Sequence, residues 1–198
     1  MKSKGLLITV VVVIVLVIWA VSSGISINNN LVKMDEEVNQ AWSQVENQYQ
    51  RRADLIPNLV NTVKGYAAHE RETLEAVINA RSKATQTTVD PANVTPEAIQ
   101  AYMAAQGELS QALGRLLVTV EQYPDLKANA NFLELQSQLE GTENRIATER
   151  MRFNEASRAY NTYLRTFPNS LFAGFLGFDQ KPYFEAEAGA EKAPEVQF

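Results

Sequence analysis

The chain has 198 residues, a formal charge of −5, one histidine and no cysteine. That length suits one domain of ordinary size plus an anchor. The missing cysteines exclude a disulfide framework, a thiolate metal site and a cysteine nucleophile. The acidic excess is repelled by phosphate backbones, so nucleic acid is not an expected partner.

Lys2 and Lys4 precede LLITVVVVIVLVIWAV, and no charge occurs from Gly5 to Ile27. About twenty apolar helical residues cross a bilayer, so a single spanning helix over residues 1–27 is predicted. Trp19 sits near its far end, where interfacial aromatics are common. A cleaved signal peptide is the alternative, with Ala20-Val21-Ser22 as its small-residue site, although the apolar run is longer than an ordinary signal core. Two lysines before the span, and Asp35, Glu36 and Glu37 after it, place the N-terminus in the cytoplasm and the rest outside by the positive-inside rule.

Ser26–Asn30 (SINNN) reads as a short polar hinge, with a new helix from about Leu31. Val38, Trp42, Val45, Tyr49, Arg52, Ile56, Leu59, Val63 and Tyr66 recur at steps of four and three. One helix face therefore carries them all, as a bundle requires. Two features strain the pattern: Arg52 puts a guanidinium in an apolar stripe, and Pro57 lacks the N–H that a helix interior uses. The pattern continues through Leu74, Val77, Ile78 and Arg81 to about Ala84, and TQTTVDPAN (85–93) marks a loop. Thr95-Pro96-Glu97 opens another helix with an N-cap, a first-position proline and an acid in the first turn. Its stripe is Ile99, Met103, Gln106, Leu109, Leu113, Leu116 and Val120, and Tyr123-Pro124-Asp125 stops it. A last long helix begins near Ala128 with Phe132, Leu135, Leu139, Thr142, Ile146, Glu149, Phe153, Ala156, Tyr160, Tyr163 and Phe167 on one face, and Pro168 ends it. Residues 28–178 make the expected helical domain. Residues 179–198 read as an acidic, unpacked tail ending PEVQF.

The runs QRRADLIPNLVNTVKGYAAHE (50–70), YPDLKANANFLELQSQLEGTENRIATER (123–150) and YN-x-YLRTFPNSLFA (160–173) resemble the bacterial LemA family. So do the N-terminal span and the PYF segment near the end. The resemblance covers essentially the whole chain from Leu31. It implies a membrane-anchored protein with an antiparallel, up-and-down four-helix bundle and no established activity. Nothing resembles a kinase: neither a phosphate-binding glycine loop nor a catalytic-loop pattern occurs.

Three helical segments read from periodicity must be reconciled with four helices. A fold-back near Arg51–Asp54, with Asp54 as N-cap and Pro57 in the first turn, gives helices at about 31–51, 55–86, 96–122 and 128–167. The resemblance favours that reading. A continuous, kinked helix through Pro57 is the alternative, because the stripe is unbroken there. Either way Gln50–Pro57 is expected beside Glu121–Lys127, which nominates Glu121 and Asp125 as counter-charges for Arg51 or Arg52. Arg52 and Glu149, the charged stripe members, either lie at the rim with stems buried or take buried partners.

His69 with Glu70, Glu72 and Glu75 is not a metal signature: a di-iron bundle needs two Glu-x-x-His units, and the order here is reversed. No cofactor, metal or catalytic set is expected, and an enzyme ranks below the other readings. A structural or assembly protein at the cell envelope comes first, with a second copy or another envelope protein as its partner. A signalling or peptide-capturing module comes next. LFAGFLGF (171–178), carrying Phe172, Phe175 and Phe178, is too short to span and too broken by glycine for a helix of its own. It is expected to plug its own bundle, touch the bilayer or meet a neighbouring subunit.

Overall fold

The computed structural model describes residues 2–90 and 94–185, and every regular element among them is an α-helix. In chain order these are α1 (Lys2–Tyr66), α2 (Arg71–Gln86), α3 (Pro96–Val120), α4 (Pro124–Lys127), α5 (Ala130–Arg165) and α6 (Asn169–Leu176). The chain forms two compact units, Met1–Asn39 with Ala156–Lys181, and Gln40–Glu155 with Pro182–Phe198.

In the second unit the periodic stripes do what their spacing requires. Trp42, Val45, Tyr49, Arg52, Ile56, Leu59 and Val63 of α1 are all at most 5% exposed. With Ile56, Leu59 and Val63 cluster Leu74 and Val77 of α2, Leu109, Leu113, Leu116 and Val120 of α3, and Phe132 and Leu139 of α5. Side-chain contacts fix the helix directions. Tyr66 meets Asn129 and Arg52 meets Glu143, so α1 and α5 run antiparallel. Glu70 meets Tyr123 and Ala84 meets Gln106, so α2 and α3 do too. The start of α3 follows the sequence reading: Thr95 Oγ1 accepts from the Ala98 N–H at 3.2 Å, with Pro96 in the first turn. Asn129 caps α5, its Oδ1 accepting from Asn131 N and Phe132 N at 2.9 and 3.1 Å.

The expected fold-back at Arg51–Asp54 does not occur, and neither does the hinge at Ser26–Asn30; α1 is helical through both. Pro57 is tolerated inside it for a specific reason. A proline at 57 cannot donate to the carbonyl four residues back, which leaves Ala53 O without its intrahelical partner. Arg81 of α2 supplies the missing donor, its Nε lying 2.7 Å from Ala53 O. The chain instead turns at residues 67–70, where Glu70 N donates to Ala67 O at 3.1 Å. Glu70 makes no side-chain cap at the start of α2. Its carboxylate accepts from the Tyr123 hydroxyl at 2.7 Å, so this turn is held by a tertiary contact.

In the first unit, Ile27, Leu31 and Val38 of α1 and Tyr160, Leu164 and Ala173 are buried. Asn30 Nδ2 donates to the Tyr163 hydroxyl at 3.1 Å, so α1 and α5 are antiparallel here as well. The last long helix therefore returns toward the apolar part of α1, although α1 is unbroken at Pro57.

The segment from Leu171 is not too broken to be helical, since α6 forms over eight residues. Gly174 is accepted inside it, and Gly177 ends it in the left-handed region at φ 78°. The Phe178 N–H closes that end on Ala173 O at 3.0 Å. The stretch from 179 also begins with ordered packing, because Phe184 is only 5% exposed. PEVQF and the rest of 186–198 lie outside the described residues, as does Pro91 in the loop before α3.

Candidate functional site

Three constructions in the chain go beyond apolar packing. The first is a polar knot around Arg52, which is 1% exposed. Its Nη1 donates to Ser110 Oγ at 2.9 Å and forms an ion pair with Glu143. Its Nη2 donates to Gln106 Oε1 at 2.7 Å and to Gln106 O at 3.3 Å. Gln106 Nε2 in turn donates to Ala84 O at 3.3 Å. One guanidinium thus ties α1 to α3 and α5, and reaches the end of α2 through a single amide. Its carbon lies 5.1 Å from the centre of the Tyr49 ring, which meets Tyr102 edge to face at 5.3 Å. Burial first, then the nearby Tyr49 and Glu46, hold the Tyr102 phenol well above its ordinary pKa.

The partner is Glu143, not Glu121 or Asp125. Just past that segment Asn129 meets Tyr66 at the other end of α1, about 21 Å along the helix from Arg52 at ~1.5 Å per residue. Glu121 pairs with Lys127, and Asp125 and Arg51 are exposed. Glu149 takes neither extreme of its two readings: its side chain is 14% exposed and it accepts from the mostly exposed Arg152 at 2.8 Å.

The second construction pins the chain beyond α6 to α5 with two asparagines that act as backbone mimics. In the first unit Asn161 Oδ1 accepts from Lys181 N and its Nδ2 donates to Lys181 O, both at 2.8 Å. The Lys181 ammonium pairs with Asp35 and lies 5.7 Å from the Tyr160 ring centre. Burial, with Asp35 and Asp179 nearby, pushes the Tyr160 phenol up to about 12. In the second unit Asn154 makes the same pair of bonds to Phe184, at 2.8 and 2.9 Å. That holds the Phe184 ring stacked on Trp42 at 5.7 Å and edge-on to Phe153 at 5.2 Å. Beside it a groove of about 500 Å³ opens between Pro96, Ile99 and Met103 of α3 and Pro182-Tyr183.

The third construction belongs to the first unit. A Cβ added at Gly24 would lie 3.3 Å from Phe172 Cδ1 and Cε1, so α6 packs against the far end of the apolar run through a glycine. Ala173 is buried beside it, while Phe175 is almost wholly exposed. Phe178 is half-buried.

Among the described residues no group of three or more histidine, aspartate or glutamate side chains is placed to hold a metal ion. His69 is exposed. Among the described residues one helix is long and apolar enough to cross a membrane, and it is α1. The family model described as LemA matches residues 41–198. The chain belongs to the LemA family.

Among curated relatives, the magnetosome protein MamQ 2 of Paramagnetospirillum magneticum is 27% identical over 180 residues, covering 82% of this chain and 66% of its own length. The magnetosome protein MamQ of Magnetospirillum gryphiswaldense is 28% identical over 179 residues, covering 81% and 66%. The protein LemA of Metamycoplasma hominis is 25% identical over 158 residues, covering 80% and 68%. The chain thus spans just under two thirds of the length of the MamQ proteins.

For this LemA-family chain, the sequence marks Arg52 and Pro57 as irregular positions in the stripe but points to neither of their partners. Glu143 was unremarkable because it lies beside the α5 stripe. Arg81 falls in the stripe with Leu74, Val77 and Ile78, and nothing local links it to Ala53, 28 residues earlier. Asn154 and Asn161 were also missed. Their spacing of seven residues along α5, next to buried Phe153 and Tyr160, was the available signal.

Proposed function

We propose that this LemA-family protein is a single-pass protein of the bacterial cell membrane whose helical domain, outside the cytoplasm, acts without catalysis by assembling or recruiting other proteins. One observation carries the anchor. Large apolar side chains from Leu7 to Ile18 are 47–65% exposed wherever they occur, and among the described residues nothing covers them. Exposure to water costs roughly 25 cal/mol for each Å² of that surface, and a bilayer removes the cost. The non-catalytic reading is supported by the use made of polar side chains. The buried polar groups of the knot and the asparagine clamps bond other parts of the chain, and the opening that Gln106 lines with Tyr49 and Tyr102 is small, about 80 Å³. The relatives' names state no reaction.

The chain has no native cysteine, so a single Ser137→Cys on the exposed side of α5 can be probed on intact cells with a membrane-impermeant thiol reagent. Labelling before lysis is expected. Labelling only after lysis places the domain in the cytoplasm and removes the orientation.

A further inference from the structure

Among the described residues nothing covers the apolar surface of α6. Leu171 and Phe175, four residues apart on α6, are 67% and 90% exposed, and Phe167 in the turn before the helix is 76% exposed, while Phe172 and Ala173 turn inward toward α1. No charged residue occurs between Arg165 and Asp179. Burying a side chain of this kind is worth about 1.5–3 kcal/mol, so leaving three in water is a standing cost. The position of α6 says what covers them. From Leu6 to Gly24 a helix rises about 27 Å, close to the ~30 Å of a bilayer's hydrocarbon core. The helix that touches Gly24 therefore lies level with the far edge of that core. Val21 and Ile25 are 56% and 59% exposed at the same level, so the surface of α6 continues one already facing outward.

We propose that α6 is an interfacial foot: it lies in the boundary between headgroups and acyl chains with Leu171 and Phe175 in lipid, so that the protein grips the bilayer through two elements. This rests on the anchor reading above. Eight residues cannot span, and the uncharged stretch 166–178 offers nothing to pair with a charged protein rim, whereas an acyl-chain boundary accepts it without a partner. A second copy of the chain is the competing occupant.

The test uses the full-length protein in phosphatidylcholine vesicles, carrying Phe175→Cys labelled with a small fluorophore. Quenchers are attached either near the headgroup or at the acyl-chain end of the lipid. Val12→Cys in the apolar run and Ser137→Cys on α5 are labelled in parallel. The label at 175 is expected to lose about half its emission with the shallow quencher and far less with the deep one, as for a helix 5–10 Å into the boundary. The label at 12 is expected to show the reverse order, and the label at 137 no quenching. Quenching at 12 without quenching at 175 overturns the foot and leaves the anchor standing. Absence of quenching at 12 overturns the anchor itself. Position 175 unquenched, with the unlabelled Phe175→Cys variant crosslinking to another chain, overturns the foot in favour of a subunit contact.

Discussion

α1 is one helix with two opposite chemistries. Between residues 7 and 19 it shows large apolar side chains on every side. Between 38 and 63 it hides them on a single face and shows polar residues elsewhere. Backbone geometry is shared, so the contrast lies in the pattern. Apolar residues without a helical period suit a uniformly apolar surrounding, and a period of three and four suits water on one side and protein on the other. The second stretch can then hold what the first cannot, a buried charge and a proline. Both are accepted because neighbouring helices supply what is missing.

That dependence on neighbours can be broken selectively. The largest effect is expected at Glu143. Glu143→Ala leaves the Arg52 guanidinium buried without its counter-charge, and should cost about 2–3 kcal/mol of unfolding free energy, at the low end because Glu143 is half exposed. Arg52→Met should cost less, about 1–2 kcal/mol, since only Gln106 then lacks a donor inside. Denaturant unfolding of the two variants checks the order. If Arg52→Met proves the costlier, the knot contributes through packing and not charge pairing.

A smaller effect is expected at Pro57. Arg81→Ala should cost about 1–2 kcal/mol, because it strands Ala53 O in a half-buried position. In a Pro57→Ala background, where residue 57 again donates to Ala53 O, the same change should cost clearly less. A double-mutant cycle measures that coupling. Equal costs in both backgrounds would mean that Arg81 does not compensate for the proline.

The same contrast explains what could be read in the sequence. The stripes, the Thr95 cap and the apolar run were legible because each is a local pattern with a local cause. Eight of the nine members of the first stripe are buried; Tyr66, 46% exposed, is the exception at the helix end. The turn at 67–70 was hidden because Ala67 and Ala68 are good helix formers and the turn depends on Tyr123, more than fifty residues away. Lys64-Gly65 before it and Glu70 and Glu72 after it were the faint stop and start signals. Pro57 drew the break to itself because a proline's cost is local, whereas its remedy, Arg81, is not. The order of residues 179–185 was obscured by the acidic composition of the neighbouring stretch 185–195, although Phe184 is held by Asn154 far back on α5.

The claim on which the rest depends is that the apolar third of α1 stays in the chain and in the membrane. Intact mass of the protein recovered from alkali-washed membranes tests it most directly. A full-length chain in the membrane pellet, reduced at most by its first methionine, is the expected result. A chain beginning near Ser22 or Ser23 and released into the soluble fraction would contradict it, and would make residues 6–21 a signal peptide instead of an anchor.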